Sequence, residues 1–384
     1  MKQVKVITAQ EAALLVKDND VVASNGFVGS VQPEALTSAL EARFLEMGAP
    51  RDLTLIYAAS QGNSDGRGGD HFAHEGMLKK AILGHWNAVT ALQKLVNANK
   101  IQAYNLPQGT LAQYFRDVAA HRVGTITHVG LETFADPRVS GGRLNDVTTE
   151  DFVKVIQIDG KDQLFYPRME INVALIRGTY ADEWGNVVLT KEIAPLDATS
   201  IAQAAHNSGG TVIVQVEKIV KGGMLDPKLV KVPGIYVDYV VEAPETKFCE
   251  QTFDCEYNAA LTGELTVPLH ALAPVPLNAK KIIARRASLL LLDLSSEAII
   301  NLGIGIPEFI ASVANEEGIG DSLTMTVEAG AVGGVPLGGV RFGASVNAEA
   351  ILDQSSQFDF YDGGGLDLAC PITVLLLQPW LFAD

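Results

Sequence analysis

Short apolar runs alternate along the chain with stretches whose apolar residues recur every three or four positions. Residues 20–24 (DVVAS), 53–59 (LTLIYAA), 169–177 (MEINVALIR) and 210–216 (GTVIVQV) are of strand length and predict buried strands. Between them, residues 33–47 place Leu36, Leu40, Phe44 and Met47 on one face and predict a helix, with Pro33 near its first turn. Residues 200–206 read as a second helix. A compact polar turn, NLPQGT (105–110), separates a strand (IQAYN) from a helix (LAQYFRDVAAH), and Thr110 stands where a helix cap belongs. Apolar strands separated by amphipathic helices imply an α/β fold with a mainly parallel sheet. The pattern lapses over residues 242–278, where prolines gather (TVPLHALAPVPLN), and a linker is expected there.

The pattern then repeats. NGFVGSVQPE (25–34) resembles NLGIGIPE (301–308): each is a glycine-rich turn running into a Pro-Glu helix start, with the prolines 274 residues apart. The following strands correspond too, LTLIYA (53–58) with LTMTVE (323–328), 270 residues apart. A shorter second helix and loop absorbs the difference, so the halves are expected to be duplicates. Where the first half ends its strand on Ala58, the second ends on Glu328. Ligands of open α/β sheets bind beyond the carboxyl ends of the strands. The run that follows, Ala329-Gly330-Ala331-Val332-Gly333-Gly334, offers close approach and backbone N–H groups for developing negative charge. Taken alone, Glu328 reads rather as a surface residue at a strand end.

Composition narrows the function classes. The chain has 384 residues, enough for two or three domains, and 47 % hydrophobic against 19 % charged residues supplies ample core. A net charge of −16 disfavours binding to nucleic acid or an anionic membrane, which needs a basic face, but leaves room for a local basic pocket. Three cysteines (Cys249, Cys255, Cys370) make no disulfide framework and match no zinc spacing. The N-terminus lacks the apolar stretch of a signal peptide, no run reaches the roughly 20 residues of a membrane span, and a cytoplasmic location is expected.

Other motifs carry less. GNSDG (62–66) fits a nucleophile-elbow pattern, but RGGD after it starts a helix poorly, so a flexible active-site loop is expected. Asp70, His71 and His74 read as solvated loop or helix-start residues rather than metal ligands, and no metal is expected. Glu308 occupies the third glycine position of a dinucleotide fingerprint that would begin at Gly303. Lys280, Lys281, Arg285 and Arg286 read as the solvated face of an amphipathic helix.

The segments GFVGSVQPE, NLPQGTL, ADEWGN, NLGIGIPEFI and TVEAGAVGGVPLGGVRFGAS, in this order, resemble the family I CoA-transferases. The likeness is to the single-chain type, the acetate and propionate (short-chain acyl) CoA-transferases, and spans residues 3–369. It implies two open α/β domains of the CoA-transferase type, from an internal duplication, with the active site between them. The expected division is a first domain over 1–245, a linker over 246–279, and a partial second domain over 280–369 that carries the catalytic glutamate. Residues 370–384 (CPITVLLLQPWLFAD) leave the family pattern and are read as an aberrant tail. Family members continue for well over a hundred further residues, and the repeat itself extrapolates to an end near about 520. The second domain is therefore expected to be incomplete.

By this resemblance Glu328 is the catalytic residue, and Gln108 contacts the acyl or carboxylate group. Gly26, Phe27 and Gly29 shape the acyl pocket, and Ala329, Gly330, Gly333 and Gly334 lie near the oxyanion and CoA. The implied chemistry passes from acyl-CoA through an acyl-glutamyl anhydride to a glutamyl-CoA thioester and on to a carboxylate such as acetate. Coenzyme A is then substrate and covalent intermediate, and no other cofactor is needed. Acyl-CoA and small carboxylates are the expected partners, with a homo-oligomer in the intact family. Water intercepting the anhydride would give thioester hydrolysis. A reading from a different class is an inactive remnant that keeps only acyl or subunit binding.

Overall fold

The computed structural model describes residues 3–291, 298–320 and 323–361. Residues 362–369 of the expected second domain, and the whole of 370–384 with Cys370, lie outside the described residues.

The core of the first half is a parallel sheet in the order Lys5–Val6, Tyr239–Glu242, Thr211–Val220, Val173–Asp182, Val21–Ser24, Leu53–Tyr57, Leu78–Leu83, Gln102–Asn105. Two short antiparallel strands, Val187–Val188 and Val230–Val232, attach at Val173–Asp182. Both faces are covered, which is why these strands read as apolar runs. Helices Gln108–Ala119 and Ala198–Asn207 cover one face through residues such as Leu111, Phe115 and Ile201. Helices Ala9–Leu15, Glu34–Met47 and Thr90–Asn97 cover the other through Ala12, Leu36, Leu40 and Leu92.

Several boundaries depart from the sequence reading. Pro33 is the residue before helix Glu34–Met47, and Met47, assigned to the apolar face, is 63 % exposed. The strand expected from residue 169 begins at Val173, because Asn172 bonds across to Val21 in both directions and turns the chain into the sheet. The helix after the polar turn starts at Gln108, so Thr110 lies inside it and does not cap it. The stretch 246–279 is packed against both halves: Gln251 and Thr252 are buried, and Ala260 and Leu261 join an apolar cluster with Phe27 and Ala329.

The second half repeats the opening unit. Ile299–Asn301 and Thr324–Thr326 pair in parallel around helix Glu308–Glu316, as Val21–Ser24 and Leu53–Tyr57 pair around Glu34–Met47. The second helix has 9 residues against 14. Helix Ala279–Leu291 packs beside it, and its basic face is tied down by Lys281–Glu316 and Arg285–Glu317 ion pairs. At the end of the described chain, helix Gln354–Phe360 leaves the second half and inserts Phe358 into the core of the first.

Candidate active site

Four neighbouring parallel strands of the first half end on one side of the sheet, and Gly26, Phe27, Gly29 and Gln108 follow two of those ends. Gln108 opens helix Gln108–Ala119 directly after Pro107, and its Nε2 is buried without a partner among the described residues. The start of this helix presses against the sheet because residue 84 is glycine. A Cβ there would lie 1.9 Å from the Ala58 carbonyl and 3.0 Å from the Gln108 Cα. Gly84 was missed from the sequence, although a glycine directly behind an apolar strand signals close backbone approach.

The turn after Val21–Ser24 carries Gly26, Phe27 and Gly29 in a tightly knotted backbone. Val28 and Val31 adopt φ values of 47° and 59°, strained for β-branched residues. The Gln32 amide holds the turn by donating to the Val28 carbonyl at 2.9 Å, in the space a Gly26 side chain would occupy. Outside partners complete it: Val28 N donates to Ser60 O at 2.6 Å, and Phe253 N donates to Gly29 O at 2.9 Å.

Glu328 lies two residues beyond strand Thr324–Thr326, where the second half meets this turn. Its neighbours Val327 and Ala329 are fully buried in a cluster with Phe27, Val28, Ala59 and Phe342. Phe27 stacks on Phe342 at 6.0 Å, and a Cβ on Gly29 would lie 2.4 Å from the Val340 side chain. Glu328 itself keeps partial access to solvent, yet its Oε2 is enclosed with no partner among the described residues. Burial pushes its carboxyl up to about 7, against the smaller opposing pull of its own N–H. A carboxylate so poorly solvated is a stronger nucleophile or base than one in water.

The small residues after Glu328 divide into two kinds. Gly330 N donates to Val327 O at 3.0 Å and Gly333 N to Met325 O at 2.8 Å, so neither N–H is free for an oxyanion. Their neighbours Ala329 and Gly334 have no hydrogen-bond acceptor for their N–H among the described residues. Glycine is required at 330 and 334 for backbone reasons. Both have positive φ, and a Cβ would come within 2.2 Å of the Leu352 and Val346 carbonyls respectively.

Asp70 and His71 are buried, contrary to the solvated loop read from the sequence. His71 lies between two carboxylates, Nε2 to Glu34 at 2.9 Å and Nδ1 to Glu41 at 2.6 Å, and His74 reaches Glu41 at 2.6 Å. Glu34 also accepts from Arg67 and from Gly68 N, while Arg67 pairs with Glu250 and stacks over Phe253 at 3.9 Å. This charged chain thus fastens the 61–74 loop to the helix that follows the Phe27 turn. Charge assembled over 216 residues of sequence gives no local signal. Among the described residues no group of His, Cys, Asp and Glu has the arrangement of a metal site. None of the helices described is long and apolar enough to cross a membrane.

A Coenzyme A transferase family profile matches residues 6–243. The chain is 43 % identical over 365 residues to the caffeate CoA-transferase of Acetobacterium woodii, covering 95 % of this chain and 69 % of that protein. It is 41 % identical over 367 residues to the acetate CoA-transferase YdiF of Escherichia coli K12, covering 95 % and 68 %. The fold matches the crystal structure of the Escherichia coli O157:H7 acyl-CoA transferase YdiF in a thioester complex with CoA. That match has a TM-score of 0.86 and 40 % identity, over 95 % of this chain and 68 % of that one.

Proposed function

The chain belongs to the coenzyme A transferase family, and from that premise we propose that it moves CoA from a short-chain acyl-CoA to a carboxylate such as acetate, with Glu328 as nucleophile. The observation that carries the assignment is the Glu328 carboxylate itself. It stands at the carboxyl end of a parallel strand, between the halves, with one oxygen enclosed and unpartnered. Thioester chemistry by a carboxylate is uphill, since a carboxylate (about 4.3) is a much weaker base than the departing thiolate (about 8.5). Poor solvation of Glu328 narrows that gap.

In the proposed sequence the ionised Glu328 attacks the thioester carbonyl. The C–S bond breaks, CoA leaves as thiolate, and an acyl-glutamyl anhydride remains. The thiolate attacks the glutamyl carbonyl of the anhydride, releasing the donor's carboxylate and leaving a glutamyl-CoA thioester. An acceptor carboxylate then attacks that thioester, and the returning thiolate takes the acyl group from the new anhydride, restoring Glu328. The acyl-transfer potential is retained throughout. Phe27 and Gly29 shape the acyl end, Gln108 orients the carboxylate through its unpartnered amide, and Ala329 with Gly334 supplies N–H groups near the oxyanion. One unit over 1–245, a connecting segment over 246–279 and a second unit from 280 is the domain division that suits this site, and a cytoplasmic enzyme suits its substrates.

Incubation with acetyl-CoA tests the proposal. Mass spectrometry should find CoA on the peptide containing Glu328, with no adduct in Glu328→Gln. A folded protein with no adduct at that peptide would refute it. Free CoA released without an acceptor would identify hydrolysis instead.

A further inference from the structure

Tyr361 is the residue through which helix Gln354–Phe360 touches the strand that delivers Glu328. Its hydroxyl donates to Thr326 Oγ1 at 2.5 Å and accepts from Gln357 Nε2 at 2.6 Å. Thr326 in turn donates to the Ile300 carbonyl at 3.2 Å, and the Asn301 Oδ1 lies 3.5 Å from the hydroxyl. Every group in this chain is buried. Thr326 ends its strand two residues before Glu328, which lies in the turn closed by Gly330 N donating to Val327 O. The Tyr361 hydroxyl is close enough to feel the Glu328 charge, and burial holds it protonated, so it remains a donor at all working pH values.

The same helix grips the other proposed site element. Gln113, on the helix that Gln108 opens, donates to the Ser355 carbonyl at 3.1 Å and to Asp359 at 2.5 Å. Arg116, one turn nearer the C-terminus than Ala112, pairs with Asp359 at 3.3 Å. Phe358 and Tyr361 pack into the first-half core beside Leu111 and Phe115. A single short helix therefore touches both the Gln108 helix and the Glu328 strand.

We infer that Tyr361 is a positioning residue for the transfer reaction, acting through Thr326 to fix Glu328 relative to Gln108. The inference rests on Glu328 being the nucleophile. A misplacement of about 1 Å at a nucleophile is enough to cost on the order of 100-fold in rate.

The test uses the full 384-residue chain and follows CoA-adduct formation from acetyl-CoA at several concentrations. Tyr361→Phe keeps the ring contacts and removes one oxygen. It should slow the maximal rate of adduct formation about tenfold or more while half-saturation stays within about twofold, since acyl-CoA binding is untouched. Thr326→Val should do the same, Thr326→Ser should retain the wild-type rate, and the Tyr361→Phe/Thr326→Val pair should be no slower than either single variant. A wild-type rate in Tyr361→Phe, losses that multiply in the double variant, or a rise in half-saturation alone would overturn the inference. If the wild-type chain itself forms no adduct, the nucleophile assignment fails instead, and the positioning role falls with it.

Discussion

Gly343 of the second half lies against Phe27 of the first so closely that a Cβ on Gly343 would sit 2.6 Å from the phenyl ring and 3.2 Å from the Ala329 Cβ. Residue 343 also has φ of +104°, which disfavours any side chain. Phe27, Ala329 and Gly343 thus share one contact.

Gly343→Ala should therefore destabilise the chain by about 1–3 kcal/mol, from overpacking and backbone strain together. Urea unfolding measures it. In a Phe27→Leu background the same substitution should cost less, leaving only the backbone part. Equal costs in both backgrounds would show that the ring is not what Gly343 accommodates.

Glu328 should show a trade-off between stability and activity. Burial pushes its carboxyl in the folded chain up to about 7, above its ordinary value of 4.5. The folded state thus favours the protonated form, so this group's contribution is fully present below 4.5 and is lost as pH rises through about 7. Glu328→Gln should match the wild type near pH 4 and exceed it at pH 8 by on the order of 1–3 kcal/mol, toward the lower end because the side chain is partly solvated. Adduct formation by the wild type should rise with pH through the same region. A pH-independent stability difference would contradict this account.

The His71 cluster predicts a different pH window. Desolvation opposes charge on His71, but hydrogen bonds to Glu34 and Glu41 outweigh it and raise its pKa above 6.5. Its stabilisation is complete below 6.5 and disappears as pH rises through the raised value. Desolvation likewise opposes charge on Glu34, yet His71 and Arg67 hold its pKa below 4.5, so its share is present above 4.5 and lost on acidification. The cluster is strongest between those limits, and His71→Gln should flatten the alkaline decline of the urea midpoint. Asp70 and His74 face the same site and remain in that variant.

Gly84→Ala should act on both fold and site. No rotamer relieves a Cβ placed 1.9 Å from the Ala58 carbonyl, so the Gln108 helix must shift. The expected loss is about 3 kcal/mol or more, with acetate half-saturation raised in whatever fraction folds. An unchanged melting curve would show that the strand and helix do not approach as described.

The sequence made the strand–turn–helix units legible because their signal is local: apolar runs such as 53–57, a Pro-Glu helix start, and a repeat that isolates Glu328 against Ala58. Its failures concern relationships between distant positions. Met47 fits the helical period, but as the last residue of its helix it is left in water. Asp70 and His71 look polar and loop-like, and only the folded chain shows them enclosed with carboxylates from another helix. The glycines at 330 and 334 suggested room for substrate, whereas carbonyls from residues 352 and 346 already occupy the space. Gly84 and Tyr361 matter through partners 24 and 35 positions away, beyond the reach of any periodicity.

The Phe27 turn has a consequence for the order in which the protein comes into being. Its strained conformation at Val28 and Val31 is held by Ser60, Phe253 and Val340, drawn from widely separated stretches. Chains fold during synthesis from the N-terminus, so the parallel sheet is complete long before residue 340 leaves the ribosome. Until then the turn has its local bonds to Gln32 and Ser60 but lacks the contacts from residues 253 and 340. The Phe27 turn, though written near the start of the chain, is among the last parts of it to be completed.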